Sequence, residues 1–222
     1  MLFRSLALLS LSLVLASSAF AQFGKPEPTP KTADEYFAER AMRDASRLTQ
    51  GVLGRDIIRP EDGVDLQRAE SRIEDALEIF TKLCSERSLP QDQWARNCYS
   101  LADMHRRGLG TEQDYAEAKK HYDAACFDGR HPGACVQQAY ISHLGSDGDA
   151  DPEYARDLYS QACRMKDPVG CSGLGNMLYM GIGGSRDRSR AVTLLQDACA
   201  DEYEWACTRL MEYGQPTRLD RF

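Results

Sequence analysis

The chain has 222 residues, 42% of them hydrophobic and 27% charged, with 34 acidic against 27 basic side chains and a formal charge of −7 at pH 7. That acidity argues against nucleic acid or an anionic membrane surface as the main partner. The length accommodates one ordinary domain or a small solenoid.

In chain order, Arg4 supplies the only positive charge ahead of the apolar stretch Leu6 to Ala16, and Ala19-Phe20-Ala21 places small residues where a signal peptidase reads. A signal peptide over 1–21 is expected, with the mature chain starting at Gln22 and one charge more negative. The apolar run is too short for a convincing membrane span, no later stretch is long enough, and no membrane insertion is expected. Residues 22–32 hold Pro26, Pro28 and Pro30 and read as an extended, mobile leader. Residues 33–64 read as a capping helix and linker, broken by Gly51, Gly54 and Pro60, at the N-terminal end of a repeat array.

All eight cysteines lie after residue 83, as pairs Cys84 and Cys98, Cys126 and Cys135, Cys163 and Cys171, Cys199 and Cys207. The second members step by 37, 36 and 36 residues, and the neighbouring residues keep that register. Leu101, Gln138 and Leu174 each stand three beyond a cysteine; Ala118, Ala155 and Ala191 each stand seventeen further on, and eight beyond each alanine comes the next cysteine. The array spans 65–213: a partial unit ending in Ala76 to Cys84, units near 94–128, 132–164 and 168–200, and a terminal helix over 203–213. Residues 214–222 form a tail.

Each unit reads as two helices. The first, near Pro168 to Met180 in the clearest copy, stops at Gly181-Ile182-Gly183-Gly184, with matching stops at Gly108 and Gly145. The second starts at Asp114, Asp151 or Asp187, side chains that satisfy free helix amides. Ala118 with Tyr122, Ala155 with Tyr159 and Ala191 with Leu195 lie four apart on one face, a small residue admitting a neighbouring helix and a large one filling the space beside it.

In one continuous helix Cys163 and Cys171 would stand about 12 Å apart, whereas a disulfide needs Cα atoms roughly 4.4 to 6.8 Å apart. The chain therefore reverses between them. Pro168 supplies a break in that pair and Gly129 with Pro132 in the Cys126 pair, while the Cys199 turn rests on register alone. Zinc is the competing reading, but structural zinc sites space paired cysteines by about two to four residues, and the gaps here run from seven to thirteen. Four local disulfides are expected, each clipping one unit to the first helix of the next.

The stretches Leu174-Gly175-Asn176-Met177-Leu178-Tyr179-Met180-Gly181-Ile182-Gly183 and Leu101-Ala102-Asp103-Met104-His105-Arg106-Arg107-Gly108-Leu109-Gly110 resemble Sel-1-like repeats, relatives of the tetratricopeptide repeats. With its paired cysteines the chain looks like the cysteine-rich branch known as Helicobacter cysteine-rich or β-lactamase-like proteins. The resemblance implies an all-α, right-handed α/α solenoid. The middle copy diverges most: Gln138 replaces the leucine and Asp147 the last glycine, so its first helix is expected to pack less well.

Catalytic motifs are sparse. There is no phosphate-binding glycine loop, no zinc-protease spacing among His105, His121, His131 and His143, and no serine-x-x-lysine of the kind serine β-lactamases use. His105 sits at the repeat's tyrosine position, packed or on a rim, and His131 is expected solvated in an inter-unit turn. Asp114 and Glu117 read as capping and solubilising residues. No cofactor or metal is expected. The favoured function is an exported scaffold, monomeric, binding a protein or peptide in the periplasm or outside the cell; the alternative that the resemblance raises is a β-lactam or peptidoglycan-fragment hydrolase. A similar array in a mitochondrial intermembrane-space assembly factor gives a weaker reading, which the secretory leader opposes.

Overall fold

In the computed structural model, residues 29–53 and 60–217 are described; the expected signal peptide, leader residues 22–28, Gly54 and the final residues 218–222 lie outside them. The helices are α1 (Ala33–Leu53), α2 (Pro60–Ser85), α3 (Gln91–Arg107), α4 (Tyr115–Asp123, continued by a π-helical segment Ala124–Asp128), α5 (Pro132–Leu144), α6 (Pro152–Arg164), α7 (Pro168–Met180), α8 (Arg188–Ala200) and α9 (Glu204–Glu212). No strand occurs among the described residues. Consecutive helices pack on one another, and α5 touches α7 as α7 touches α9, so the helix pairs stack into a solenoid with the first helices side by side.

Local chemistry sets the helix ends. Asp114, Asp151 and Asp187 accept hydrogen bonds from the backbone N–H of Glu117, Tyr154 and Arg190, and Asp167 does the same for Gly170. Each satisfies an amide that the helix cannot. Gly108, Gly145 and Gly181 close α3, α5 and α7 in the left-handed conformation, at φ 66°, 68° and 76°. His131 departs from expectation. Its Nδ1 accepts from the Ala134 N–H and its ring stacks 4.7 Å from Tyr99, so it caps α5 instead of standing in solvent. Burial, reinforced by the nearby Arg96 charge, pushes its pKa down and favours the neutral, accepting form.

Ala118, Ala155 and Ala191 are fully buried, as are Tyr122 and Leu195 beside them. A Cβ on Gly170 would fall 2.4 Å from the Ala162 Cβ, so glycine is what lets α6 and α7 meet. The three unit-to-unit turns share one device: Arg130, Lys166 and Glu202, each five residues before the second cysteine, have φ of 54°, 62° and 63°. The Cys199 turn, which lacks glycine or proline, thus has the same backbone as its neighbours. The first full unit carries one extra residue between its cysteines, and the π-helical segment lies where that unit enters the longer turn.

The bridges Cys84–Cys98, Cys126–Cys135, Cys163–Cys171 and Cys199–Cys207 have Cα separations of 4.7, 4.9, 4.4 and 4.9 Å. They join α2 to α3, the π segment to α5, α6 to α7 and α8 to α9. At the N-terminal end, α1 packs on α2 and buries Ala38, Ala41 and Ala45. Residues 29–32, the described part of the expected leader, have no regular secondary structure and hydrogen-bond to α3. Thr29 donates from N and Oγ1 to Asp92 Oδ2 at 2.8 and 2.5 Å, and the Gln93 amide donates to the Pro30 carbonyl at 2.7 Å.

Candidate interaction groove

Because the first helices stand side by side, residues at the same register position form rows across the array. Two residues beyond the second cysteine of each pair stand Ser100, Gln137, Gly173 and Arg209; five beyond stand Asp103, Tyr140, Asn176 and Glu212; two before stand Arg96, Gly133, Val169 and Trp205. All but Gly133 and Glu212 of the members from α5, α7 and α9 line a groove of about 520 Å³, together with Tyr159 of α6, Tyr203 and His143. Its size falls within the range of about 300–1,000 Å³ usual for ligand sites.

Glycine at 173 shapes the floor. A Cβ there would lie 2.5 Å from Tyr159 Cδ1, so the tyrosine ring lies flat against α7 only because this position has no side chain. Burial pushes the Tyr159 pKa up to about 12, keeping the phenol neutral. Tyr140 is 53% exposed at the rim. On the far side the Arg209 guanidinium stacks 4.8 Å over Trp205 and pairs with Glu212 at 2.6 Å. Tyr213 donates to Asn176 Oδ1 and stacks on Tyr179 at 3.6 Å, fixing α9 against α7. The Nδ1 atom of His143 is buried with no hydrogen-bond partner.

The corresponding face of α3 is different. Asp103 receives Arg106 Nη2 at 2.5 Å and Arg107 Nη1 at 3.3 Å, and Tyr122 donates to the same carboxylate at 3.3 Å. Despite its burial, the Arg106 pKa is raised by its hydrogen bonds to Asp103 and Tyr122. Arg96 is held by Asp92 at 2.9 Å and by Glu35 at 3.5 Å. These charges are spent on one another and on residues 29–32.

The eight cysteines hold the joints and supply no reactive thiol; no free cysteine remains. His105 and His121 stack at 5.6 Å, and Glu117 holds His121 Nε2 at 3.3 Å. Among the described residues no group of three or more histidine, cysteine, aspartate or glutamate side chains is placed to hold a metal ion. Of the groove residues the sequence singled out Tyr159 for packing and His143 among the histidines; the others differ from unit to unit and give no repeated signal.

Residues 98–126, 132–167 and 168–203 each match the Sel1 repeat model. The units are Sel1 repeats. Among solved structures, a Sel1 repeat protein from Oxalobacter formigenes aligns at 24% identity and TM-score 0.52, over 63% of this chain and 98% of its own. A protective antigen of uropathogenic Escherichia coli strains, displaying an SLR fold, aligns at 20% identity and TM-score 0.56, over 78% of this chain. The chain spans only 32% of that antigen. Helicobacter pylori cysteine rich protein B aligns at 23% identity and TM-score 0.49, over 64% of this chain and 96% of its own. No curated protein sequence matches the chain. At these identities the structural likeness concerns the fold. Three Sel1 repeats and four bridges thus build the array whose face carries the groove.

Proposed function

We propose that this Sel1 repeat chain is an exported, monomeric interaction scaffold that binds a protein or peptide through the face of α5, α7 and α9. The observation that carries the reading is the groove itself, which exposed Tyr140 and half-buried Trp205 and Arg209 line around Gly173 and the Tyr159 ring. Tyrosine, tryptophan and arginine are the residue types that carry most binding energy in protein interfaces, and repeat arrays generally bind through such extended faces. Four disulfides favour an oxidising compartment. The leader motif ending at Ala21 favours the same route, to the periplasm or beyond it. In this scheme α1 closes the N-terminal end of the array.

Affinity capture of the oxidised chain from its own exporting cells tests the reading. A stoichiometric protein partner, lost when Tyr140 and Trp205 are replaced by serine, is the expected result. Capture indifferent to both replacements, or hydrolysis of a chromogenic β-lactam above an inactive control, would overturn it.

A further inference from the structure

We propose that the groove of the last two units takes an extended acidic peptide segment. A large apolar side chain of the peptide seats against the Tyr159 ring beside Gly173, and a carboxylate meets the Arg209 guanidinium. The proposal rests on the scaffold reading and adds the partner's chemistry to it.

Charge carries the choice of occupant. The chain has 34 acidic side chains, yet among the described residues none lines this groove, and Arg209 is the one permanently charged residue that does. The hollows along α1 and α2 are built otherwise: their walls carry both signs, Asp44, Asp75 and Glu78 beside Arg40, Arg47, Arg68 and Arg72. An acidic segment would be repelled by most of this protein's surface and accepted here. Glu212 lies outside the lining and engages Nη1 of Arg209. A guanidinium carries five N–H donors, so this pair leaves donors for a second carboxylate, and Trp205 holds the guanidinium plane in place.

Shape carries the rest. The Tyr159 ring fills the space over Gly173, and with Tyr140 and Met177 it walls the groove there. Those walls suit the apolar body of a phenylalanine or leucine. An extended peptide also brings unpaired backbone N–H and C=O groups. The side-chain amides of Gln137 and Asn176, which line the groove, are complementary to them.

The test uses the oxidised chain and fluorescence anisotropy with three labelled probe peptides. One alternates glutamate with phenylalanine and leucine, one carries lysine for every glutamate, and one carries serine for every apolar residue. The glutamate probe is expected to bind, with the lysine and serine probes at least about tenfold weaker, a difference of about 1.4 kcal/mol. Arg209→Gln should weaken the glutamate probe by about tenfold, Arg209→Lys by less, and Glu212→Gln should tighten it by freeing the guanidinium. Unchanged thermal melting of the three variants shows that the array is intact. A lysine probe that binds as well as the glutamate probe, or an Arg209→Gln variant without effect, overturns the acidic assignment; if Tyr140→Ser then still abolishes binding, the groove survives as an interaction face. Failure of every probe overturns the proposal too, and affinity capture from the exporting cells then decides separately whether the scaffold reading falls with it.

Discussion

The first full unit and the last two are built alike at their joints and unlike on their faces. At the joints, each unit repeats a left-handed turn residue and a bridge. His131 and Asp167 cap the next helix at the first two joints, where the last has Tyr203 with no capping bond. On the face, α3 presents Arg96 paired with Asp92 and Arg106 paired with Asp103, whereas α5, α7 and α9 present Tyr140, Gly173 under the Tyr159 ring, and Trp205 with Arg209. The contrast teaches that position in the repeat fixes how the solenoid stands, while the face positions are released from that duty and can differ from unit to unit.

The sharpest way to break the comparison is to remove what the units share. Each bridge closes a short loop and contributes about 2.5 to 3 kcal/mol by the chain-entropy relation, an upper figure. Against a usual total of about 5 to 15 kcal/mol, reducing all four should unfold the array at room temperature. Circular dichroism with and without a phosphine reductant checks this; a reduced chain that keeps its helicity and its melting temperature would show the joints to be dispensable.

A change confined to the face should do less to stability and more to shape. Gly173→Ala forces a methyl group into the Tyr159 ring and should lower stability by about 1 to 3 kcal/mol. The same change pushes the Tyr159 ring toward the groove, so the glutamate probe should bind more weakly to a chain that still folds. Denaturant melts and anisotropy on one preparation separate the two effects.

The middle copy offers a change in the opposite direction. The sequence shows Gln138 where its neighbours have leucine, and a looser α5 is the natural expectation. In the structure Gln138 is fully buried with its amide 3.5 Å from Ser142 Oγ, and Ser142 stands where the repeat motif has tyrosine. The two departures answer each other one helical turn apart, although Gln138 Oε1 finds no partner. Gln138→Leu should therefore stabilise the chain by about 1 kcal/mol, read as a higher denaturant midpoint at unchanged slope.

The smallest effect belongs to the first unit's tether. Burial alone would raise the Asp92 pKa, but hydrogen bonds from Thr29 and Arg96 lower it from 3.8 to about 2. A carboxylate with a depressed folded pKa stabilises the tethered state above its unfolded pKa and loses that contribution as pH falls through the folded one. The Thr29 amide should lose its exchange protection between about pH 4 and pH 2, while the amides of α7 keep theirs. Asp92→Asn should expose Thr29 at neutral pH.

Much of the architecture was legible in the chain. Cysteine spacing, capping aspartates and closing glycines each act on their own neighbours, so Asp151 or Gly181 announces its role without knowledge of the rest. Three things were not legible. The capping bond of His131 depends on a ring nitrogen meeting the start of α5, the fixing of residues 29–32 depends on Asp92 sixty-three residues away, and the groove needs side chains from three units in one place. Long-range juxtaposition leaves no periodic trace, and face positions vary from unit to unit by their nature.

The central claim is that this chain meets its partner on the face of α5, α7 and α9. Photocrosslinking in the exporting cell, with a benzophenone amino acid placed at Tyr140 or, as a control, at exposed Thr193 on α8, tests it most directly. The account predicts one discrete crosslinked species from position 140 and none from 193. Crosslinking to the same species from 193 but not from 140 would contradict it.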